Sequence, residues 1–325
     1  MKPKVFLTRE LPDKVMEKLK IHTDLEMNTE DRVLTKQEII DGIKGKDALL
    51  CLLTDQIDSE IMDANLELKI IANYAVGFNN VDIKAANERN IPVSNTPGVL
   101  TDTSADLAFA LVMSVGRRVV EADKYLRTGK WQGWGPLQFL GQDISGSTLG
   151  IIGFGRIGKA LAKRGSGFKM DILYWNRTRL PAEEEKELGV TYSSFERVFE
   201  KSDFVSVNVT YNNDTHHLVG KSEFELMNKR AYIINTSRGP VINEKELVEA
   251  LKSGKLSGAG LDVFENEPQI EPELFKMDNV VILPHIASAT VATRTRMGMI
   301  ALENVFAALE TKPIPNLVNK SIYAK

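Results

Sequence analysis

Scarce residue types limit what this chain of 325 residues can be. Its single cysteine, Cys51, excludes an internal disulfide and leads us to expect a reducing, cytoplasmic setting. No run of about 18 apolar residues occurs, and residues 1–9 are charged, so neither a membrane span nor a secretory signal is predicted. The 41 basic and 44 acidic residues nearly balance, so the chain lacks the charge excess typical of proteins that bind nucleic acids or membrane surfaces.

Histidine is also rare, with four residues in all. The adjacent His216 and His217 lie in a polar segment without a third ligand at a spacing typical of metal sites. We therefore predict no metal centre and interpret both as surface or loop residues. Cys51 lies inside the apolar run Ala48 to Leu53, which favours a packing role over a reactive one.

Residues 148–158 are the most informative segment of the chain. An apolar strand runs into Gly153 and Gly155 and then into a helix that contains Gly158. In this context G-x-G-x-x-G indicates a dinucleotide site: the first glycine permits the turn, the second admits a pyrophosphate, and the third lets the helix pack on the strand. The cofactor-binding residues predicted here are Gly153, Gly155, Arg156, Ile157 and Gly158.

Short apolar runs alternate with amphipathic segments along the chain, which predicts parallel sheets built from strand-helix-strand units. Because the glycine loop lies mid-chain, another unit precedes it, and a last helix over residues 289–309 would return to that unit. We predict an α/β protein with two doubly wound parallel-sheet domains: a Rossmann cofactor domain (101–286) inserted into a flavodoxin-like substrate domain (1–100 and 287–325). A long helix from Thr101 to Gly129, apolar on more than one side, is expected to be buried between domains or subunits.

Polar residues that follow the strands of the second domain carry the candidate chemistry, since the cleft of a doubly wound sheet lies beyond the carboxyl ends of its strands. Arg238, Glu267 and His285 each follow such a strand. The arginine can hold a substrate carboxylate through two parallel donors. His285, supported by Glu267, can give a proton to a carbonyl oxygen as hydride arrives. The alternative is a structural ion pair between Arg238 and Glu267, with His285 capping a strand end.

The end of the second cofactor-domain strand predicts which dinucleotide binds. NAD-binding domains normally carry an acid there that bonds the ribose hydroxyls. This strand, residues 171–175, is instead followed by Asn176, Arg177, Thr178 and Arg179. Two arginines in place of an acid suit a 2′-phosphate, so NADP is predicted, with NADPH preferred and NAD left open. Solvated surface charges are the alternative.

Four ordered motifs together resemble the D-isomer-specific 2-hydroxyacid dehydrogenase family: the glycine loop, residues 235–239, residues 262–268 and Pro284-His285. The resemblance covers essentially the whole chain. It implies that Arg238 orients a 2-oxo acid, that His285 is the acid/base and that Glu267 tunes the histidine. It also implies that Asp262 lies near the nicotinamide carboxamide.

Within that family, residues 49–55, 97–103 and 131–136 are similar to the glyoxylate/hydroxypyruvate reductase branch. The resemblance implies reduction of a small 2-oxo acid, glyoxylate or hydroxypyruvate, to its D-2-hydroxy acid. With the cofactor predicted above, the expected reaction is NADPH-dependent. Trp131 and Trp134 fall where related enzymes dimerise, so a homodimer is expected; tryptophans that anchor the loop to the core are the alternative. The remaining site residues implied are Thr101 and Thr236 for the cofactor, and Leu53, Ser288 and the amides of Val76 and Gly77 for the substrate.

Two other functions stay open on sequence alone. A 2-ketogluconate reductase would share the same three catalytic residues and differ mainly in the size of its pocket. A dinucleotide-sensing co-repressor would share fold and residues without turnover, although the long flanking tails expected of such a regulator are lacking. Formate dehydrogenase is disfavoured because its histidine pairs with glutamine, where this chain has Glu267.

Overall fold

The computed structural model describes residues 2–323 and divides the chain into two units. One unit comprises Met1–Leu100 with Ser288–Lys325, and the other is the continuous segment Thr101–Ala287. The chain returns to the first unit one residue later than predicted, because the amide of Ala287 is hydrogen-bonded to Asp262 in the second unit. Among the described residues, no helix is both long and apolar enough to cross a bilayer.

The first unit starts as alternating strands and helices. Thr35 caps its second helix through a reciprocal pair of hydrogen bonds with Glu38, and Asp58 and Asp82 cap the next two. The elements are β1 (Lys4–Leu7), α1 (Asp13–His22), β2 (Asp24–Met27), α2 (Lys36–Ile43), β3 (Ala48–Leu52), α3 (Ser59–Asp63), β4 (Ile70–Tyr74), α4 (Ile83–Glu88) and β5 (Val93–Ser94).

These five strands form one parallel sheet in the order β2-β1-β3-β4-β5. This is the flavodoxin-like order predicted for the domain. The apolar runs of β3 and β4 are almost fully buried, as expected of inner strands covered on both faces. Cys51 is buried in β3, which agrees with the predicted packing role.

The second unit continues the alternation around a larger sheet. Its elements are α5 (Thr101–Gly116), α6 (Val119–Arg127), β6 (Thr148–Ile152), α7 (Arg156–Gly167), β7 (Asp171–Trp175), α8 (Ala182–Leu188), β8 (Val190–Tyr192), α9 (Phe195–Lys201), β9 (Phe204–Val207), α10 (Lys221–Leu226), β10 (Tyr232–Asn235), α11 (Glu244–Lys252), β11 (Gly258–Leu261) and β12 (Val280–Ile282). After this unit, α12 (Val291–Leu309) packs on β3, β4 and α1 of the first unit.

The seven strands of the second unit are parallel and lie in the order β12-β11-β10-β9-β6-β7-β8. The order reverses between β6 and β9, which is the topological switch point of a Rossmann sheet. The predicted fold class, with two doubly wound parallel sheets, is confirmed. Residues that follow β6, β7, β10, β11 and β12 therefore share the carboxyl edge of one sheet.

The prediction of one continuous helix from Thr101 to Gly129 is wrong. The helix breaks after Gly116, where Arg118 adopts a left-handed backbone (φ 51°) and α6 begins anew. The Gly116 carbonyl oxygen accepts a hydrogen bond from the distant amide of Gln142 (2.8 Å). The apolar side chains of α5 pack against α7, β10 and β11 of the same unit.

Candidate active site

The glycine loop follows β6 as predicted, and its glycines meet different local requirements. Gly153 has a left-handed backbone (φ 90°). A Cβ on Gly158 would lie 2.5 Å from the Gly153 carbonyl oxygen, so only glycine lets α7 approach the loop this closely. A Cβ on Gly155 would point into open space, at the N-terminus of the 12-residue helix α7. The loop therefore fits a pyrophosphate, which helix N-termini bind through their free amides.

Two polar side chains beside the loop differ in their hydrogen bonding. Asn176, directly after β7, accepts from the Phe154 amide (3.1 Å) and donates to the Thr178 carbonyl oxygen (2.9 Å). Its side chain thus joins the end of β7 to the glycine loop. Thr236, after β10, is buried, and its hydroxyl has no hydrogen-bond partner among the described residues. Leaving such a group unpaired is costly, and a ligand at this edge would satisfy it.

The two arginines predicted to bind a 2′-phosphate differ in their ion pairing. Arg179 donates from Nε and Nη2 to the two carboxylate oxygens of Glu185, each at 2.8 Å, and lies over the ring of Tyr192. Arg177 is exposed and forms no ion pair within residues 2–323. Arg177 is therefore fully available to an anion, whereas Arg179 would bring a charge already shared with Glu185.

Arg238 lies in the turn after β10, and the side chain of Asn235 builds that turn. Asn235 Oδ1 accepts from the amide (3.0 Å) and the hydroxyl (2.8 Å) of Ser237, and its Nδ2 donates to the Arg238 carbonyl oxygen (3.0 Å). Burial lowers the pKa of the Arg238 guanidinium, and the charge of Glu267 acts the other way. The guanidinium therefore lies in a poorly hydrated setting, where an anionic ligand would interact with it strongly.

Glu267 and His285 come together in the segments that follow the paired strands β11 and β12. His285 Nδ1 and Glu267 Oε2 are 2.9 Å apart, and Glu267 Oε1 accepts from the Phe264 amide (3.0 Å). Burial raises the pKa of Glu267, but the hydrogen bond and charge of His285, with the Phe264 amide and Arg238, hold it below its ordinary value. The carboxylate is thus ionised near neutral pH. Because Glu267 engages Nδ1, Nε2 is the nitrogen that can give a proton away.

The backbone at His285 is left-handed (φ 53°), an uncommon conformation for a residue with a side chain. Asp262 stabilises it: the fully buried carboxylate accepts from the amides of Ile286 (2.7 Å) and Ala287 (2.8 Å). The Asp262 carbonyl oxygen also accepts from the His285 amide (2.9 Å). Burial raises the pKa of Asp262, while the two amides and the charge of His285 act the other way. Asp262 therefore positions the histidine through the backbone, which sequence reasoning missed.

Val76 and Gly77, predicted to bind the substrate carboxylate, follow β4 in the first unit. Their carbonyl oxygens accept from the side chains of Asn95 (2.7 Å) and Asn73 (2.9 Å), respectively. Neither of their amides donates to another group in the described part of the chain. Both amides are therefore available to a ligand at the carboxyl edge of this sheet.

Three further predicted residues are half-buried. Leu53 follows β3 and Ser288 precedes α12, both in the first unit, while Thr101 is the first residue of α5 in the second. Apart from Arg238 and His285, the residues predicted for the substrate thus lie in the first unit and those predicted for the cofactor in the second.

Sequence reasoning missed a pair of carboxylates beside Glu267. Glu244, the first residue of α11, is buried, and Glu265 lies in the segment after β11. His217, interpreted as a surface or loop residue, has its Nε2 within hydrogen-bond distance of Glu265 Oε1 (2.8 Å) and stacks on His216. Because these residues are 20 or more positions apart, no local sequence pattern could have joined them.

Known proteins match this chain over almost its whole length. Residues 109–287 match the family model described as D-isomer specific 2-hydroxyacid dehydrogenase, NAD binding domain. A glyoxylate reductase of Korarchaeum cryptofilum is 49% identical over 99% of this chain and 97% of its own. One from Thermococcus litoralis is 48% identical over 99% of this chain and 98% of its own. A solved structure, the NADPH-dependent glyoxylate/hydroxypyruvate reductase of Sinorhizobium meliloti with NADP and malonate, is 32% identical, covers 98% of this chain and 97% of its own, and has a TM-score of 0.85.

Proposed function

Because the chain belongs to the D-isomer-specific 2-hydroxyacid dehydrogenase family, whose members are NAD(P)-dependent enzymes, we propose that it reduces glyoxylate and hydroxypyruvate to the corresponding 2-hydroxy acids. The 2.9 Å contact between His285 Nδ1 and Glu267 Oε2 carries the proposal. It provides a proton donor. Arg238 and the glycine loop, which fits a dinucleotide, belong to the same sheet as this donor. The substrate class is supported by the glyoxylate reductases among the relatives.

Each residue of the site has one task in this mechanism. Arg238 binds the substrate carboxylate through two parallel donors. In the first unit, the amides of Val76 and Gly77 are the donors proposed for a carboxylate. The glycine loop and the N-terminus of α7 would hold a nicotinamide dinucleotide, which would supply the hydride. His285 donates its Nε2 proton to the carbonyl oxygen, and its ring is neutral after this step. Before the step, Glu267 favours the protonated ring.

The preferred cofactor is proposed to be NADPH. The supporting observations are the absence of an acid directly after β7, the exposed and unpaired Arg177, and the NADP in a solved relative. The glycine loop and the N-terminus of α7 would hold the pyrophosphate, and the Thr236 hydroxyl would gain a partner.

The test is a steady-state panel of glyoxylate, hydroxypyruvate, pyruvate and 2-ketogluconate, each with NADPH and with NADH. We expect kcat/KM to be highest for glyoxylate or hydroxypyruvate with NADPH. A higher value for 2-ketogluconate would overturn the substrate class, and a higher value with NADH would overturn the cofactor preference. Binding of NADPH without turnover of any 2-oxo acid would favour the dinucleotide sensor instead.

The protein is further proposed to be a homodimer that assembles through residues 119–140. Trp131 and Trp134 are 52% and 84% exposed, so neither anchors this segment to the core. Four other large apolar side chains of the segment are exposed as well: Val119, Leu126, Leu137 and Leu140. An apolar patch of this kind marks a protein interface. Light scattering should give twice the chain mass, and Trp134→Ser with Leu137→Ser should give a monomer; a monomeric wild type would refute the proposal.

A further inference from the structure

We propose that Glu244 is a positioning residue for the reaction: by holding the segment that carries Glu267, it keeps the proton on His285. The inference rests on the proposed role of His285 as the acid. It concerns a residue that touches neither the histidine nor its carboxylate partner.

The side chain of Glu244 spans the segment on both sides of Glu267. Its Oε2 accepts a hydrogen bond from the Glu265 amide, and its Oε1 accepts one from the Glu271 amide, each at 2.8 Å. Only 6% of the residue is exposed, so water competes little for these bonds. We call Glu244 with these two amides the Glu244 clamp.

The side chain of Glu265 in turn binds the backbone of Glu244. Its Oε2 accepts from the Glu244 amide (3.1 Å), so each of the two residues binds the other's backbone with its side chain. Two adjacent carboxylates repel each other, and three features oppose that repulsion: the amides themselves, the N-terminus of α11 and the His217 ring at 2.8 Å from Glu265 Oε1. Burial raises the pKa of Glu265, but the Glu244 amide, His217 and His216 hold it below its ordinary value.

The clamp reaches Glu267 through a single peptide. The Phe264 amide donates to Glu267 Oε1, and the next amide, that of Glu265, is bound by Glu244. A shift of Glu265 therefore moves Phe264, and with it the carboxylate that contacts His285 Nδ1 at 2.9 Å. The other charged groups that influence Glu267 and His285 are Arg238 and Asp262, and neither belongs to the clamp.

The variant Glu244→Gln tests the clamp, because the amide has the same shape but one acceptor oxygen fewer. The matched control is Glu246→Gln on the same helix, where the carboxylate binds the Lys221 amide (2.6 Å) and does not contact the Glu267 segment. The chain has four histidines, so selective ¹³C labelling of the histidine rings gives few NMR signals and resolves that of His285. The signal of His22, in the first unit, serves as an internal reference that should not move. Glu267→Gln defines the signal position of a His285 whose partner has lost its negative charge.

At a pH where wild-type His285 is protonated, we expect its signal in Glu244→Gln to move part of the way towards its position in Glu267→Gln. The alkaline limit of glyoxylate reduction should move to lower pH, and kcat/KM near neutral pH should fall about tenfold, while Glu246→Gln stays within about twofold of wild type. A folded Glu244→Gln protein with an unmoved His285 signal would overturn the proposal, and so would an equal movement in Glu246→Gln. Because the NMR readout needs no substrate, it still tests the clamp if glyoxylate is not turned over.

Discussion

The substitution Gly239→Ala tests how closely two site segments must approach each other. Gly239 follows Arg238, and a Cβ placed on it would lie 1.8 Å from the Phe264 carbonyl oxygen and 2.5 Å from the Glu265 amide nitrogen. Both neighbours are backbone atoms, so no side chain can rotate away. Alanine would therefore push the Arg238 turn away from the segment that carries Glu267.

The size of the effect follows from the overlap. An ordinary carbon–oxygen contact of about 3.4 Å requires the two segments to separate by about 1.6 Å. A misplacement of about 1 Å in a catalytic group can reduce the rate about 100-fold. We therefore expect kcat/KM for glyoxylate to fall at least about 100-fold. Overpacking of this kind also costs about 1–3 kcal/mol of folding free energy, which lowers Tm by several degrees.

Steady-state kinetics and thermal unfolding would be measured on Gly239→Ala beside a control glycine. Gly167, at the end of α7, is suitable because a Cβ there meets no atom within 4 Å. Gly167→Ala should keep wild-type turnover. If Gly239→Ala is folded and retains turnover within about threefold of wild type, close approach of these two segments is not needed and the reasoning is refuted.

Three further outcomes follow from the site. His285→Asn should lower kcat about 100-fold or more, since proton donation by a positioned acid contributes about that factor; a near-normal kcat would remove His285 from the mechanism. Glu267 has a lowered pKa and stays ionised at neutral pH, so Glu267→Gln should shift the alkaline limit of reduction to lower pH, and an unchanged pH profile would contradict this. Arg177→Gln should reduce kcat/KM with NADPH about tenfold or more and leave NADH within about twofold, whereas Arg179→Gln, whose charge is shared with Glu185, should discriminate less; equal losses with both cofactors would count against a 2′-phosphate site.

The sequence predicts the fold well where strands are buried on both faces. The inner strands β3, β4, β9 and β10 are buried and mainly apolar, and each is present where its apolar residues indicated. The edge strands β2 and β8 were not predicted. β2 is half-exposed with alternating polar and apolar residues, and β8 has only three residues, so neither forms an apolar run.

Candidate site residues were predictable where parallel strands gather their carboxyl ends at one edge. Glu267 and His285 could be associated in this way because β11 and β12 end side by side. The break between α5 and α6 could not be predicted in this way. It lies where the distant Gly141 closely approaches the chain, with a Cβ on Gly141 2.3 Å from the Gly116 carbonyl oxygen. The Glu244 clamp is likewise formed by contacts across more than 20 residues.

The split of the first unit has a consequence for biosynthesis. The second unit is one continuous stretch, so all of it leaves the ribosome before Ser288 does. The sheet of the first unit must wait longer, because Met297, Leu302 and Val305 of α12 complete the core formed by Leu7 and Leu50. In a nascent chain that ends before α12, Val15 and Leu19 of α1 cover only part of that sheet face, and the rest is exposed apolar surface. Such surface makes incomplete chains prone to aggregate until the last helix has been synthesised.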